Sequence, residues 1–227
     1  MGSNALNGVL VGLQEADHLL QANPTPRGGF PQRPEVVRAL NRAAVVLIAS
    51  HLERYLRAVN EELTDGVNAS AVLRTDIPET LRLQHSRNIV DELFKTQWNK
   101  RAGKLGGFVT SDGWLWGQSP KVDLEAHRLL KWMRTPKPDR IQRLFALWGI
   151  GNIFEVITRT SHTRQRMWLK LQELADKRNN IAHGDVSAEA TYQDVQSYVG
   201  IVRQFCKRCD RAVGRLAGRW IKGSRLW

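Results

Sequence analysis

The chain has 227 residues and a formal net charge of +12, from 34 Lys and Arg against 22 Asp and Glu. Its hydrophobic fraction of 42% and charged fraction of 25% are ordinary for a globular protein able to bury a core, most simply one domain with an elaboration. No window approaches the ~18 consecutive apolar residues of a membrane span, two cysteines exclude a disulfide scaffold, and the basic excess points to a polyanionic partner such as nucleic acid, against a basic protein without that role.

The first twenty residues lack a basic n-region, so they do not read as a secretory signal, and a cytoplasmic protein is expected. Residues 5–20 carry Leu6, Val9, Leu10, Leu13 and Ala16 at helical spacing. Asn23 to Pro34 holds four prolines and two glycines and reads as a linker, so residues 1–34 form an N-terminal extension. Pro34 is placed to open a long helix. From Glu35 to Leu63 its stripe is Val37, Leu40, Ala44, Ile48, Leu52, Tyr55 and Val59, and Asp65-Gly66 reads as the connection after it. Ile77-Pro78-Glu79 starts another helix that runs to about Lys100.

Residues 100–120 change character. Five glycines surround Phe108, Trp114 and Trp116, which predicts an irregular insertion, a loop or short hairpin, rather than a helix. Trp114 and Trp116 alternate. They either pin that segment to the core or offer stacking faces to bases beside the basic flank of Lys95, Lys100, Arg101 and Lys104. A helix is expected from Val122 to Met133, broken by Arg134-Thr-Pro-Lys-Pro138. Asp139 is expected to cap the next helix, through Leu147. After a turn at Gly149 and Gly151 and a short segment at Ile153 to Ile157, Ser161 or Thr163 opens the helix that carries the chemistry.

That helix ends in Leu171–Asp185, LQELADKRNNIAHGD. Leu171, Leu174 and Ile181 share one stripe, and Arg178 falls on it. A buried guanidinium is costly and does not shed its proton, so it needs an anionic partner or faces a cleft. His183 sits at the helix end with Gly184 as the stop. Asn179, four residues before His183, shares its face. The last helix opens at Thr191-x-x-Asp194, a capping-box pattern. It carries Val195, Tyr198, Val202, Phe205, Cys209, Val213 and Leu216. Cys206 and Cys209 lie near its apolar stripe, where core packing outweighs a redox or metal reading. His51, His85, His127 and His162 lack comparable neighbours and read as structural or solvated. Residues 218–227 form a basic tail with Trp220 and Trp227. No repeat or βαβ pattern occurs, so the fold class is all-α.

Arg178-Asn179-Asn180-Ile181-Ala182-His183 resembles the R-x4-6-H signature of the HEPN superfamily, with a polar residue directly after the arginine. Arg42 to Leu56 is similar to the first helix of its RiboL-PSP-type branch. The resemblance implies a HEPN-like helical bundle over residues 35–217, with the Gly/Trp-containing insertion in the middle. It also implies a composite cleft between paired domains, holding two copies of the motif. By that carry-over His183 is general base or acid, Arg178 binds the phosphate and Asn179 assists. Asn180 and Glu53 are supporting candidates, Glu53 either bracing Arg178 or standing as a solvated carboxylate. Lys177, Lys100, Arg101, Lys104, Trp114 and Trp116 are candidate nucleic-acid contacts.

The chemistry suits RNA, which carries its own 2′-hydroxyl nucleophile. Histidine serves proton transfer near neutral pH, and a guanidinium fork stabilises charge on non-bridging phosphate oxygens. No carboxylate cluster at metal-ligand spacing is visible, and neither metal nor cofactor is required. The expectation is a metal-independent endoribonuclease acting as a homodimer, a toxin or phage-defence effector restrained by an antitoxin or other regulatory protein, with single-stranded RNA, tRNA or mRNA as partner. The competing reading is a non-catalytic HEPN-like module that binds RNA or protein. In it Arg178 forms a core tie with Glu53 or Asp176, and His183 only caps the helix end. DNA binding ranks last.

Overall fold

A computed structural model describes residues 2–22, 33–70, 72–117, 123–220 and 227, the side chains at 216 and 218–220 excepted. Most of the expected 23–34 linker and of the 218–227 tail, including the Trp220 side chain, therefore lies outside the described residues. Among those described, nine α-helices and no strand occur, and no helix is long and apolar enough to cross a membrane. The fold is all-α, as its helical periodicities require.

Helix α2 (Pro34–Asn68) is the axis of the bundle: it contacts α1 (Asn4–Gln21), α5 (Ala126–Leu130), α8 (Ser161–Ala182) and α9 (Tyr192–Trp220). Pro34 opens it at the first turn. It runs past the expected connection at Asp65-Gly66, because Thr64 and Val67 continue the buried stripe. Ser3 caps α1, its hydroxyl accepting from the Leu6 amide (2.8 Å) and donating to Asp210 of α9. Burial holds the Asp210 carboxyl above its usual range, against the bonds from Ser3. Glu62 accepts from the Ala5 amide (2.6 Å), and Arg203 pairs with Asp17 (2.8 Å). Close approach of α1 to α2 requires Gly12: a Cβ there would lie 2.3 Å from His51 Nδ1.

The apolar face of α9 is buried throughout Val195, Tyr198, Val202, Phe205, Cys209 and Val213. Its start is the expected capping box, with Thr191 N–H donating to Asp194 (3.0 Å) and Asp194 N–H to the Thr191 hydroxyl (3.1 Å). Cys206 and Cys209 are free, fully buried thiols, and burial pushes both well above the usual range, so they are core packing. Trp227 packs against the core at Gly214.

The other helices are α3 (Glu79–Lys95), α4 (Arg101–Trp116), α6 (Pro138–Leu147) and α7 (Ile153–Ile157). Three expectations are corrected here. Residues 101–116 are a helix and not a loop. Leu115 and Asp112 are buried, Trp114 packs on the core, and this anchoring outweighs the low propensity of the glycines. The helix expected from Val122 begins only at Ala126. The Leu124 amide and carbonyl are both taken by Asn68 (2.8 Å each) and the Glu125 amide by His85 Nε2 (3.0 Å), which holds the chain extended. Helix α6 begins at Pro138, with Asp139 in its first turn and no side-chain cap.

His85, expected to lack partners, is the buried centre of a network. Arg128 grips Asp112 through both carboxylate oxygens (2.7 and 3.0 Å). Asp112 Oδ1 lies 3.2 Å from His85 Nδ1, at an angle that falls short of a hydrogen bond.

Candidate active site

Thr160 caps α8, its hydroxyl accepting from the Thr163 amide (3.2 Å), and the helix buries Met167, Leu171, Leu174 and Ala175. Its other end closes as a Schellman motif. Gly184 N–H donates to Ile181 O (3.1 Å), Asp185 N–H donates to Asn180 O (3.0 Å), and Gly184 adopts φ 82°. The following loop is fastened to α2. Arg42 donates to the carbonyls of Asp185 (2.7 Å) and Ala188 (3.0 Å), Asn41 to that of Ala190 (2.9 Å), and Arg38 pairs with Glu189 (3.2 Å). Asp185 turns back on the Ser187 hydroxyl (2.6 Å) and amide (2.8 Å), which hold its carboxyl below the usual range.

Arg178 is half-buried, and among the described residues no carboxylate pairs with it; its side chain donates to Asn179 Oδ1 (3.3 Å). The Thr135 hydroxyl lies 3.5 Å from the same oxygen. With Oδ1 occupied, the Asn179 Nδ2 donors are left for another group. His183 is exposed at the helix C-cap, and among the described residues its ring makes no hydrogen bond. It follows Arg178 by about 7.5 Å along the axis. Asn180 is exposed beside them.

Neither expected tie for Arg178 forms. Glu53 pairs with Arg57 one turn along α2 (2.8 Å), and Asp176 pairs with Lys137 (2.7 Å), which holds its carboxyl below the usual range. Lys177 is committed to the α8–α9 interface: it pairs with Asp194 (3.2 Å) and lies over the Tyr198 ring (5.9 Å). There Glu173, despite partial burial, is held below its usual range by Lys170 and by the Tyr198 hydroxyl (2.7 Å). Lys100, Arg101, Lys104, Trp114 and Trp116 sit on the α3–α4 pair. Arg101 folds back on Trp98 (5.3 Å), Lys104 pairs with Glu92 (3.1 Å), and Trp114 packs on the core. Arg82 lies over Trp116 (5.2 Å), whose Nε1 donates to Ser86 (3.2 Å). None of these residues shares a hydrogen bond or ion pair with α8 among the described residues.

Thr135 and Lys137 escaped the sequence reading, which saw Arg134–Pro138 only as a helix break. The segment lies beside Asn179 and Asp176 of α8, and Arg57 donates to the carbonyl just before it, Met133 O (3.4 Å). The two prolines that stiffen it were the available signal. Among the described residues, no three His, Cys, Asp or Glu side chains converge to hold a metal ion. The arrangement can offer a guanidinium and an amide to a phosphate and an imidazole to a proton, at an open helix end.

A family model described as RiboL-PSP-HEPN matches residues 13–214. No curated protein and no solved structure matches the chain.

Proposed function

The chain belongs to the RiboL-PSP-HEPN family, and from that premise we propose that it is a metal-independent endoribonuclease acting as a homodimer in the cytoplasm. The family suggests an RNase or RNA-related role. The observation that carries the catalytic reading is Arg178, a half-buried guanidinium with no carboxylate partner among the described residues, beside the Asn179 amide and the exposed His183. Arg178 and Asn179 would grip the non-bridging oxygens of the scissile phosphate. An imidazole takes the proton of the 2′-hydroxyl, which attacks phosphorus. A second imidazole returns a proton to the departing 5′-oxygen, leaving a 2′,3′-cyclic phosphate and a 5′-hydroxyl. One His183 does not reach both sides of the phosphate, so a symmetric dimer supplies its second copy. A toxin or defence effector restrained by a partner protein fits this reading.

A non-catalytic RNA- or protein-binding module is the second reading. It is favoured by the His183 ring, which no group among the described residues orients. The deciding experiment incubates single-stranded RNA with the parent and with His183→Ala in excess EDTA. Cleavage by the parent to cyclic-phosphate ends, reduced in the variant by at least ~10²-fold, is expected. Equal cleavage by both removes His183 from the chemistry. No cleavage by either, with cellular RNA included, selects the binding module.

A further inference from the structure

At the opposite end of α8 lies a cavity of about 540 Å³, within the range of ligand sites. Arg159 lines it from the α7–α8 connection, and Arg208, Arg211 and Arg215 line it from α9. Spacings of three and four put those last three on one helix face. Among the described residues no carboxylate lines the cavity; the neighbouring Glu155 is taken by Arg164 (2.6 Å). Among the described residues none of the four arginines forms an ion pair. Arg208 reaches the Ile157 carbonyl (3.5 Å), and Arg215 Nε donates to the Arg211 carbonyl (3.2 Å).

Four guanidiniums held around one concavity repel each other, since arginine stays protonated at any working pH. An occupant with several negative charges relieves that repulsion, and guanidinium forks match phosphate oxygens in pairs. From Thr163, which also lines the cavity, to His183 is about 30 Å along α8 by helix rise. The cavity is therefore separate from the candidate active site.

We infer that this arginine cavity is a phosphate-binding site that anchors the backbone of an RNA strand away from the reacting end. The inference rests on the RNA reading above. It adds an affinity determinant that neither Arg178 nor His183 supplies. Such an anchor holds phosphates without reading bases, so it strengthens binding evenly across sequences.

The test measures binding, which separates it from the cleavage experiment. A fluorescent oligonucleotide with 2′-O-methyl riboses is not cleaved, and its anisotropy is titrated at several salt concentrations. The parent is compared with Arg208→Gln/Arg211→Gln and with Arg74→Gln/Arg87→Gln, a remote pair with the same charge loss. Circular dichroism and thermal midpoints verify that each variant is folded. For the cavity pair, affinity should fall at least ~10-fold and the salt slope should drop by roughly 1.4, two single-strand contacts. The remote pair should bind within about twofold of the parent. Equal losses in both pairs reveal a net-charge effect and overturn the anchor, as does unchanged binding by the cavity pair. Inorganic triphosphate is titrated in parallel: loss of triphosphate binding with RNA affinity intact would make this a small-phosphate site and also overturn the proposal. If the cavity pair loses affinity as expected but His183→Ala cleaves normally, the catalytic reading fails and the anchor stands.

Discussion

His85 accepts the Glu125 amide at Nε2, which leaves the ring proton on Nδ1, facing Asp112. Burial and the nearby Arg128 hold its pKa below the ordinary histidine value, against the pull of Asp112 and Glu125. As pH falls through about 6.5, the unfolded chain takes up this proton before the folded one does, so stability is lost. The urea midpoint should therefore drop between pH 7.5 and pH 5.5. In His85→Gln, whose amide can accept from Glu125 and donate toward Asp112, that drop should flatten; an equal drop would assign it elsewhere. Nothing near His85 in the sequence announces this role, because its partners come from two other elements. Arg178 and His183 were legible for the opposite reason, since helix periodicity alone brings them to one end. Thr135 and Lys137 reach the same region only through tertiary packing.

Helix α4 forms against its own composition. Gly103, Gly106 and Gly107 face open space, and each weakens a helix by roughly 0.5–1 kcal/mol relative to alanine. Gly106→Ala and Gly107→Ala should therefore each stabilise the protein by about that amount, as a rise in the urea midpoint at unchanged slope. Lowered stability would mean that the open face is occupied. Reading this stretch as a loop followed from its glycines, and the deciding contacts, Asp112 with Arg128 and Leu115 with the core, are long-range. Helices α2 and α9 were legible because their apolar stripes are long. The short α5 was overestimated because Asn68 and His85 capture the amides that would have started it earlier. The α3–α4 pair also leaves Phe94 and Trp98 more than 70% exposed.

For the whole molecule, the first twenty residues are as much part of the core as the last helix. Val9, Leu13 and Leu20 are buried against the bundle, and three such side chains contribute roughly 4–9 kcal/mol, comparable to the entire stability of a typical domain. A chain beginning at Arg33 should therefore lose its near-ultraviolet circular dichroism and bind a hydrophobic dye; retained native signals would mark residues 1–32 as a dispensable extension. Composition predicted one basic globular unit, and the fold class followed from periodicity. The close α1–α2 crossing did not, because it depends on the absence of a side chain at Gly12. The fastening of the His183 loop by Arg38, Asn41 and Arg42 has a consequence for biosynthesis. Translation delivers α2 well before residues 178–190, so the clamp is already waiting when they emerge. A nascent chain halted just after Gly184 would carry Arg178 and His183 but none of the carbonyls that α2 grips, which ties the geometry of the site to completion of the polypeptide.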